Sequence, residues 1–344
     1  MFNKEIFIGE RCIANSEPTY IICEIGSNHN QSLAKAKEMI GIAHECGADG
    51  VKFQSLKFDQ LYKVDKTPKE TEELFEKIHL EESWYKELAL HSQKVGIDFL
   101  SAPTYLNSIE LLHNVGCPAF KVASPQFDLF PEITIEAAKY NKPLFMSVGI
   151  SRMGDIDRMV KLCREKSIKD VVLLHCVSQY PTPPHNANLS FIRTLSSMYD
   201  AIVGYSDHTL GIHFPVSAVA LGARVIEKHF TLDKSDKGPD HHFACEPNDF
   251  KMMVNQIREV EVGIGNGEKA PLTEWESKHR QSIAMKFVAS KTIKANTHFR
   301  LSDFHLLRAE GGISREHLDL LINSQIQTEL KEGELLTWKN ICLP

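Results

Sequence analysis

The sequence predicts an α/β protein: a closed (β/α)8 TIM barrel followed by a small β-rich domain. Eight short apolar segments recur roughly every 25–30 residues, and helical patterns separate most of them. Alternation of strand and helix favours a parallel sheet, and eight repeats favour its closure into a barrel. The eight segments, each with a polar residue at or near its end, are YIICEIGSN, VKFQ, FLSAP, FKVAS, LFMSVG, VLLHCVS, IVGYSDH and VIEKHF.

The segments before and after the first barrel strands carry local signals of their own. Residues 5–18 alternate weakly and predict a β-hairpin that closes the bottom of the barrel. Ser32 is a suitable N-cap for the first barrel helix, and Gly47 ends it. Residues 56–80 are too long and too charged for a simple connection. They form either a loop that covers the site or a solvated helical excursion.

The domain organisation follows from a change in composition after the last barrel helix. Residues 1–265 form the barrel domain with its N-terminal hairpin, and residues 266–283 are polar and turn-rich, which predicts a linker. Residues 284–344 contain four short β-like pieces. About 60 residues make a marginal core alone. We therefore expect this domain to pack on the barrel or on a second subunit.

Bulk properties exclude several classes of protein. The formal net charge is −6, which argues against a general nucleic-acid-binding surface. No apolar run approaches the ~20 residues that span a bilayer, and the N-terminus lacks the apolar core of a signal peptide. The eight cysteines are scattered singly. We expect a cytoplasmic protein with free thiols and no membrane partner.

The strand ends define one predicted pocket, because the C-terminal ends of barrel strands form the active-site face of this fold. The polar residues at these ends are Glu24, Asn28, Lys52, Gln54, Ser101, Lys121, Ser124, Ser147, Ser178, Ser206, Asp207, His208, Glu227 and His229. Two histidines, two lysines and several hydroxyls around one ring suggest a metal ion together with an anionic substrate.

His208 and His229 are the predicted metal ligands, since they end neighbouring strands. Two neutral imidazoles with water or a carboxylate such as Glu24 suit Mn²⁺, Zn²⁺ or a similar ion. Such a site keeps open positions for a substrate. Each histidine alone would instead be read as a core residue, and it is their pairing that favours the metal.

Lys52 and Lys121 have three readings: a Schiff base, an anion clamp or a structural ion pair. The hydroxyls expected near them favour a carboxylate or phosphate cradle, and these hydroxyls belong to Ser124, Ser147 and Ser206. Glu24 and Glu227 are candidate acid–base or orienting groups.

Strand alternation separates neighbouring residues onto opposite faces. Asp207 should point away from His208 and be structural. His175 and Cys176 cannot pair as base and nucleophile for the same reason, so Cys176 is interpreted as a buried structural residue. His241 and His242 fall in the long loop after the last strand, which covers the site or is solvated.

The motifs CEIGSNHNQS, VKFQ, FKVAS, HCVSQYPTP, GYSDHTLG, LGARVIEKHF and GPDH resemble the sialic acid synthases, or nonulosonic acid synthases. The resemblance covers nearly the whole chain, and the C-terminal segment resembles the antifreeze-like (SAF) domain of the same enzymes. It implies condensation of phosphoenolpyruvate with the aldehyde of an N-acyl hexosamine, and release of phosphate by water. It also implies a divalent metal on His208 and His229, with Mn²⁺ expected and Mg²⁺ or Co²⁺ as alternatives.

The resemblance also assigns residues to the two substrates. Phosphoenolpyruvate is expected on Lys52, Lys121, Ser124, Ser147 and Ser206. The sugar is expected on Gln54, Gln126, Tyr180 and Asp240. A domain-swapped homodimer is implied, in which Arg308 of one chain reaches the site of the other. Glu24 is expected to stabilise the cationic intermediate or to activate the water.

The chain departs from the family pattern at the sugar positions. Gln126 stands where an acidic residue is usual, Ala102-Pro103-Thr104 replaces Thr-Pro-Phe, no Asn occurs between Asn30 and Asn107, and Met285-Lys286 replaces Arg-Ser. GPDH resembles the sialic and legionaminic branch more than the pseudaminic branch, so N-acetylmannosamine is the first expected acceptor, and a diacetamido-deoxyhexose of the legionaminate or pseudaminate type is the alternative. A metal-dependent barrel hydrolase and a non-catalytic sugar-binding module are more distant interpretations.

Overall fold

The computed structural model describes all residues from 1 to 344. The chain forms two compact units, Met1–Asn266 and Gly267–Pro344, each with its own hydrophobic core. Each unit is described below by itself.

The first unit is the predicted barrel. Eight strands pair in parallel in the order β5-β4-β3-β10-β9-β8-β7-β6, and β5 and β6 lie in contact where the sheet closes on itself. All eight predicted strands are confirmed. Their bounds are β3 Tyr20–Gly26, β4 Gly50–Ser55, β5 Asp98–Pro103, β6 Phe120–Val122, β7 Leu144–Ser147, β8 Val171–Cys176, β9 Ile202–Asp207 and β10 Val225–His229.

Helices connect the strands and pack around them. Longer helices have apolar faces buried against the barrel, as in α8 and α11, where four side chains of each are buried. The helices of this unit are α1 Leu33–Glu45, α2 Phe58–Leu61, α3 Lys69–Ile78, α4 Trp84–Val95, α5 Leu106–Asn114, α6 Ser124–Asp128, α7 Glu132–Ala138, α8 Met153–Glu165, α9 Phe191–Tyr199, α10 His213–Ala220 and α11 Pro247–Ile264. Short 3₁₀ turns lie at Val64–Lys66, Pro184–Asn186 and His241–Phe243.

An antiparallel hairpin precedes the barrel, as predicted. Strand β1, Glu5–Ile8, pairs with β2, Arg11–Ala14, and buries its isoleucines in the barrel core. The guanidinium of Arg11 lies 2.8 Å from a carboxylate oxygen of Asp49, which directly precedes β4. The hairpin therefore contacts the N-terminal ends of the strands, opposite the predicted site.

Helix α1 shows how local signals set its bounds. The Ser32 hydroxyl accepts a hydrogen bond from the backbone N–H of Lys35 at 3.2 Å, so Ser32 is the N-cap as predicted. The buried side chains of the helix follow the expected 3.6-residue spacing and are Ala36, Met39, Ile40 and Ala43.

The long segment after β4 is helical rather than an open loop. It consists of α2, a 3₁₀ turn and α3. Phe75 is the one buried residue of α3, and its ring packs on Phe58 at 5.8 Å and on Tyr62 at 5.3 Å between centroids. This aromatic cluster fixes α3 on the rest of the segment.

The second unit is a small β-rich domain, as predicted. Strands β11 Met285–Ala289 and β13 Phe304–Arg308 pair antiparallel, and β12 Thr297–His298, β14 Gln325–Ile326 and β15 Ile341–Cys342 form a second small sheet. Its core contains Phe287, Ile313 and Leu321, and helix α13, Leu318–Leu321, completes it. Short 3₁₀ turns lie at Leu301–Asp303, Arg315–His317 and Trp338–Asn340.

The stretch 266–283, predicted as a turn-rich linker, contains a helix. Helix α12, Glu274–Ile283, starts with a capping box in which Thr273 and Glu276 exchange hydrogen bonds. None of its residues is buried in this chain. The sequence therefore lacks the apolar stripe that identifies most helices, although Thr273-x-x-Glu276 was an available signal. No helix of the protein is both long enough and apolar enough to cross a bilayer.

Gly204 in β9 gives a stability test for the barrel wall. A Cβ at this position would lie 2.5 Å from the backbone oxygen of Val225 and 2.5 Å from Leu174 Cδ2. We expect Gly204→Ala to lower the free energy of unfolding by about 1–3 kcal/mol, because neither neighbouring strand can move freely. Urea unfolding measures the change.

Gly41 is the matched control, since it lies within α1 and a Cβ there would meet nothing within 4 Å. Gly41→Ala should raise the free energy of unfolding by about 0.5–1 kcal/mol through helix propensity. Equal stability of the Gly204→Ala variant and the unmodified protein would contradict this packing of the barrel.

Candidate active site

A cavity of about 260 Å³ opens at the C-terminal ends of the barrel strands. The sequence analysis assigned fourteen residues to catalysis, to the metal or to the two substrates. Twelve of them line this cavity, and Gln126 and Arg308 do not. The twelve are Glu24, Lys52, Gln54, Lys121, Ser124, Ser147, Tyr180, Ser206, His208, Glu227, His229 and Asp240.

Two lysines and two glutamates form a buried charged network on the cavity floor. The Lys52 Nζ lies 2.8 Å from Glu24 Oε2 and 3.7 Å from Glu227 Oε2, and the Lys121 Nζ lies 3.1 Å from Glu227 Oε1. All four side chains are at most 5% exposed. Strand register explains the arrangement, because Glu24 pairs with Lys52 across β3 and β4, and Glu227 pairs with Ser206 across β10 and β9.

Two neighbouring polar side chains complete the network. The Ser206 hydroxyl donates a hydrogen bond of 2.8 Å to Glu227 Oε1, and the Gln54 amide donates one of 2.8 Å to Glu24 Oε1. Glu227 therefore accepts from one hydroxyl and one ammonium on the same oxygen. Glu24 pairs with the Lys52 ammonium through one oxygen and accepts from the neutral Gln54 amide through the other.

The network gives the two glutamates opposite properties. Burial alone would raise the pKa of Glu227, but Lys121 and Lys52 outweigh it and the pKa falls to about 2. Burial raises the pKa of Glu24 and the nearby Glu227 adds to the effect, while Lys52 opposes it. Glu227 is thus a permanent anion, whereas Glu24 is the carboxyl group suited to proton transfer.

A cluster of small polar groups lies beside Lys121. The Ser124 hydroxyl accepts a 3.0 Å hydrogen bond from the Gly149 backbone N–H and lies 3.1 Å from Cys176 Sγ. A Cβ at Gly149 would come within 2.6 Å of that sulfur, so the approach requires glycine. The Ser147 hydroxyl is buried without a hydrogen-bond partner. It is therefore available to a ligand in the cavity.

His208 and His229 meet on the opposite side of the floor, with ring centroids 5.4 Å apart. Burial lowers the pKa of His208 to about 4, and burial together with His208 lowers that of His229 well below its ordinary value. Both rings are neutral near pH 7. His208 Nδ1 donates to the Val177 carbonyl at 2.8 Å, which leaves Nε2 free to accept.

The donor set around the two rings fits a divalent cation. His229 Nδ1 is buried without a hydrogen-bond partner, and an Asp240 carboxylate oxygen lies 3.7 Å from it. Burial and the nearby Glu24 raise the pKa of Asp240 to about 6. No group of three or more His, Cys, Asp or Glu side chains is arranged as a complete metal site. Two imidazoles with open positions agree with the two-ligand site expected from sequence.

Asp207 points away from the cavity, as strand alternation predicts. Its carboxylate lies 2.5 Å from the Lys228 Nζ, and neither side chain is exposed. Asp207 also accepts from the N–H and the hydroxyl of Thr209. This second buried pair ties β9 to β10 directly behind the two histidines.

Several predicted positions do not line the cavity. Asn28 donates to the Phe230 carbonyl at 2.8 Å, and Ser101 bonds the Ser55 hydroxyl at 2.9 Å. Ser178 lies beside Gly149 outside the lining. Gln126 is buried on α6, which turns its side chain out of the lining, and Arg308 lies on β13 in the second unit.

The structure also brings residues to the cavity that sequence reasoning missed. Cys176 is buried, as interpreted from sequence, and it also faces the cavity because it alternates with His175, whose ring bonds the Ala187 carbonyl behind the sheet. Leu74 and Ile78 of α3 line the mouth. Their i, i+4 spacing on one helix face was the available signal. Other missed lining residues are Ser27, Ala123, Pro125 and Pro239.

Comparison with known proteins agrees with the geometry. Residues 39–269 match the NeuB family, and residues 286–341 match the SAF domain. The chain is 40% identical over 343 residues to the uncharacterized protein MJ1065 of Methanocaldococcus jannaschii. The alignment covers 98% of this chain and 99% of that protein.

Several of the named relatives are synthases. The chain is 38% identical over 331 residues to the N,N'-diacetyllegionaminic acid synthase of Campylobacter jejuni, covering 92% of this chain and 98% of that enzyme. The crystal structure of N-acetylneuraminic acid synthetase from Leptospira borgpetersenii, in complex with citrate, superposes with a TM-score of 0.73 at 32% identity, covering 81% of this chain and 97% of that one. The chain therefore belongs to the NeuB family, the family of sialic and legionaminic acid synthases, and carries the SAF domain that its motifs predicted.

Proposed function

We propose that the protein condenses phosphoenolpyruvate with the open-chain aldehyde of an N-acyl hexosamine and, with water, produces a nine-carbon 2-keto acid and phosphate. N-acetylmannosamine or a close analogue is the acceptor. The observation that carries the proposal is the cavity floor, where the Lys52, Lys121, Glu24 and Glu227 network lies beside serine hydroxyls and two neutral histidines. The family relationship supports the same reaction class.

The lysines and serines hold phosphoenolpyruvate. Lys52 and Lys121 supply two ammonium groups for its carboxylate and phosphate, and both point into the cavity. Ser147 brings a hydroxyl that has no other partner, and Ser124 and Ser206 bring hydroxyls at the cavity wall. These contacts would fix the enol carbon in the orientation needed for attack.

His208 and His229 hold a divalent cation, with Mn²⁺ as our first choice and Mg²⁺ or Co²⁺ as alternatives. When bound, the ion would supply Lewis-acid polarisation of the acceptor aldehyde. Charge balance supports it, because two lysines in the cavity face the three carboxyl groups of Glu24, Glu227 and Asp240. A substrate with several negative charges would enter such a cavity more readily when a cation accompanies it.

The reaction forms one carbon–carbon bond, and at C2 a bond to the water oxygen replaces the bond to the phosphate oxygen. The C3 carbon of phosphoenolpyruvate bonds to the aldehyde carbon, which leaves positive charge at C2. Water adds at C2, and the bond from C2 to the phosphate oxygen breaks to give the keto group. The two protons of the water end on the former aldehyde oxygen and on phosphate.

Glu24 takes a proton from the water as it adds to C2. Burial and the nearby Glu227 raise its pKa, which suits it to accept a proton and return it. Glu227 stays ionised and orients Lys121, Lys52 and Ser206, so it is a positioning residue rather than a proton carrier. Gln54, Tyr180 and Asp240 remain the proposed sugar contacts, since all three line the cavity. Gln126 is not proposed as a direct contact.

The reaction class is tested by phosphate release from phosphoenolpyruvate. We expect release that requires both an N-acyl hexosamine and a divalent cation, measured with a coupled phosphate assay. Omitting the sugar, and adding a chelator followed by Mn²⁺, are the controls. Phosphate release from phosphoenolpyruvate without any acceptor would identify a hydrolase and contradict the proposal.

Glu24→Gln tests the proton carrier. The amide keeps the shape of the side chain but cannot accept a proton, so kcat should fall by about 10²–10⁴-fold. Phosphoenolpyruvate affinity, measured by calorimetry, should change little. Glu38→Gln, on the outer face of α1, is the control and should leave kcat unchanged. Full activity of the Glu24→Gln variant would disprove the role of Glu24.

Arg308 is the residue through which we propose that a second copy completes the sugar site. It is exposed on β13 and makes no ion pair within its own unit. Arg308→Ala should raise the KM for the acceptor about 10-fold or more, through loss of a charged hydrogen bond, while sparing that for phosphoenolpyruvate.

Arg300→Ala removes another exposed arginine of the same unit and should leave both KM values unchanged. The assembly is measured at assay concentration by light scattering. A fully active monomer would disprove the contribution of a second copy.

A further inference from the structure

Asp240 is the one carboxylate of the active-site cavity that no barrel strand carries. It belongs to the long loop after β10, whereas Glu24 and Glu227 stand on β3 and β10 themselves. The Asp240 carboxylate makes no hydrogen bond, and its one close contact with a basic group is to His229 Nδ1, 3.7 Å away. The position of this side chain therefore depends on how the backbone of the loop is held.

His241, the next residue, holds the middle of that loop. Its ring is completely buried. Nδ1 lies 2.6 Å from the Thr231 hydroxyl oxygen, and Nε2 lies 2.9 Å from Asn30 Oδ1. An amide oxygen can only accept, so Nε2 carries the proton and Nδ1 accepts from the threonine hydroxyl. One side chain thus joins the start of its own loop to the loop that follows β3.

Three features of the surroundings keep the ring in this position. A Cβ at Gly238 would lie 2.8 Å from His241 Cδ2, so glycine allows the loop to approach the ring. Asn30 has a φ of +49°, a left-handed conformation that asparagine adopts more readily than most residues. Burial lowers the pKa of His241 and the nearby Lys35 adds to the effect, so the ring is neutral and keeps both hydrogen bonds near pH 7.

We infer that His241 is a positioning residue that holds the loop so that the Asp240 carboxylate faces the acceptor. The inference rests on the proposed function, in which Asp240 contacts the sugar. A loop without this anchor would have to be ordered each time the acceptor binds, which costs affinity for that substrate. Phosphoenolpyruvate is spared, because Lys52 and Lys121 stand on barrel strands and make no ion pair with the loop.

A double-variant cycle separates this role from a purely structural one. Phosphate release with Mn²⁺ gives the KM for the acceptor, which is the faster of N-acetylmannosamine and its 6-deoxy diacetamido analogue, and calorimetry gives the affinity for phosphoenolpyruvate. We expect His241→Leu to raise that KM about 10-fold and to leave phosphoenolpyruvate affinity unchanged. In an Asp240→Ala background the same substitution should add less than about 2-fold, because the group that it positions is gone.

Matched variants exclude general damage to the loop. His242→Leu makes the same change at the neighbouring histidine, which is exposed and outside the site lining, and it should leave the KM unchanged. Asn30→Asp keeps an oxygen that accepts from His241 Nε2, whereas Asn30→Gly removes it and tolerates the positive φ. Asn30→Gly should reproduce the rise in KM and Asn30→Asp should not. If His241→Leu does not fold, this second pair carries the comparison.

Three results would overturn the inference: an unchanged KM in His241→Leu or Asn30→Gly, a rise that is fully additive with that of Asp240→Ala, or an equal loss of phosphoenolpyruvate affinity. Each of them leaves the proposed function intact, since the unmodified protein still releases phosphate. Absence of phosphate release from the unmodified protein with either acceptor would instead overturn the proposed function, and the inference with it.

Discussion

The shared carboxylate of Glu227 is the interaction on which the active site depends. It neutralises Lys121, contributes to the pairing of Lys52, and accepts from Ser206, and these groups come from four different strands. Each ammonium alone would be costly to bury in the barrel, and each is tolerable because a carboxylate lies within a few ångströms. Closure of the barrel brings these strand ends together. Barrel closure and the pairing of the buried charges therefore depend on each other.

The same constraint produces two chemically different glutamates. Glu227 lies between two cations and stays ionised, while Glu24 has a single ammonium partner and the anion of Glu227 nearby. Environment alone therefore separates a positioning carboxylate from one that can exchange protons. Behind them, the Asp207–Lys228 pair occupies the outward positions that alternate with Ser206, His208, Glu227 and His229. Inward residues carry chemistry, and outward residues fix the strands that carry it.

Sequence reasoning predicted the parts of the site that follow from strand periodicity. Strand ends in a parallel barrel converge whatever the connecting segments do, which is why most of the predicted residues share one cavity. Gln126 was assigned to the sugar from the family resemblance and not from strand periodicity, and in the structure it is buried on α6 outside the lining. Cys176 is buried as predicted, but its inward face was not noted, because its role was argued only from its neighbour His175.

What the sequence could not show depends on contacts between distant segments. No local sequence signal indicates that position 149 must be glycine. The reason is that a side chain there would collide with Ser124 and Cys176, which lie far away in the sequence. Helix α12 was not predicted because it has no apolar face, and its capping box is a signal that apolar periodicity does not include. Leu74 was hidden in a charged stretch, on helix α3, whose only buried residue is its neighbour Phe75.

The residues that line the cavity have two structural origins. Floor groups come from barrel strands, whose register is fixed by hydrogen bonds to two neighbours. Mouth groups come from α3 and from the loop after β10, which contributes Pro239 and Asp240. Helix α3 contacts the floor through no hydrogen bond or ion pair, so its two lining side chains are positioned independently of the charged network. Closure of the barrel therefore sets the floor, whereas a helix and a loop set the mouth, and the two parts of the cavity can vary separately.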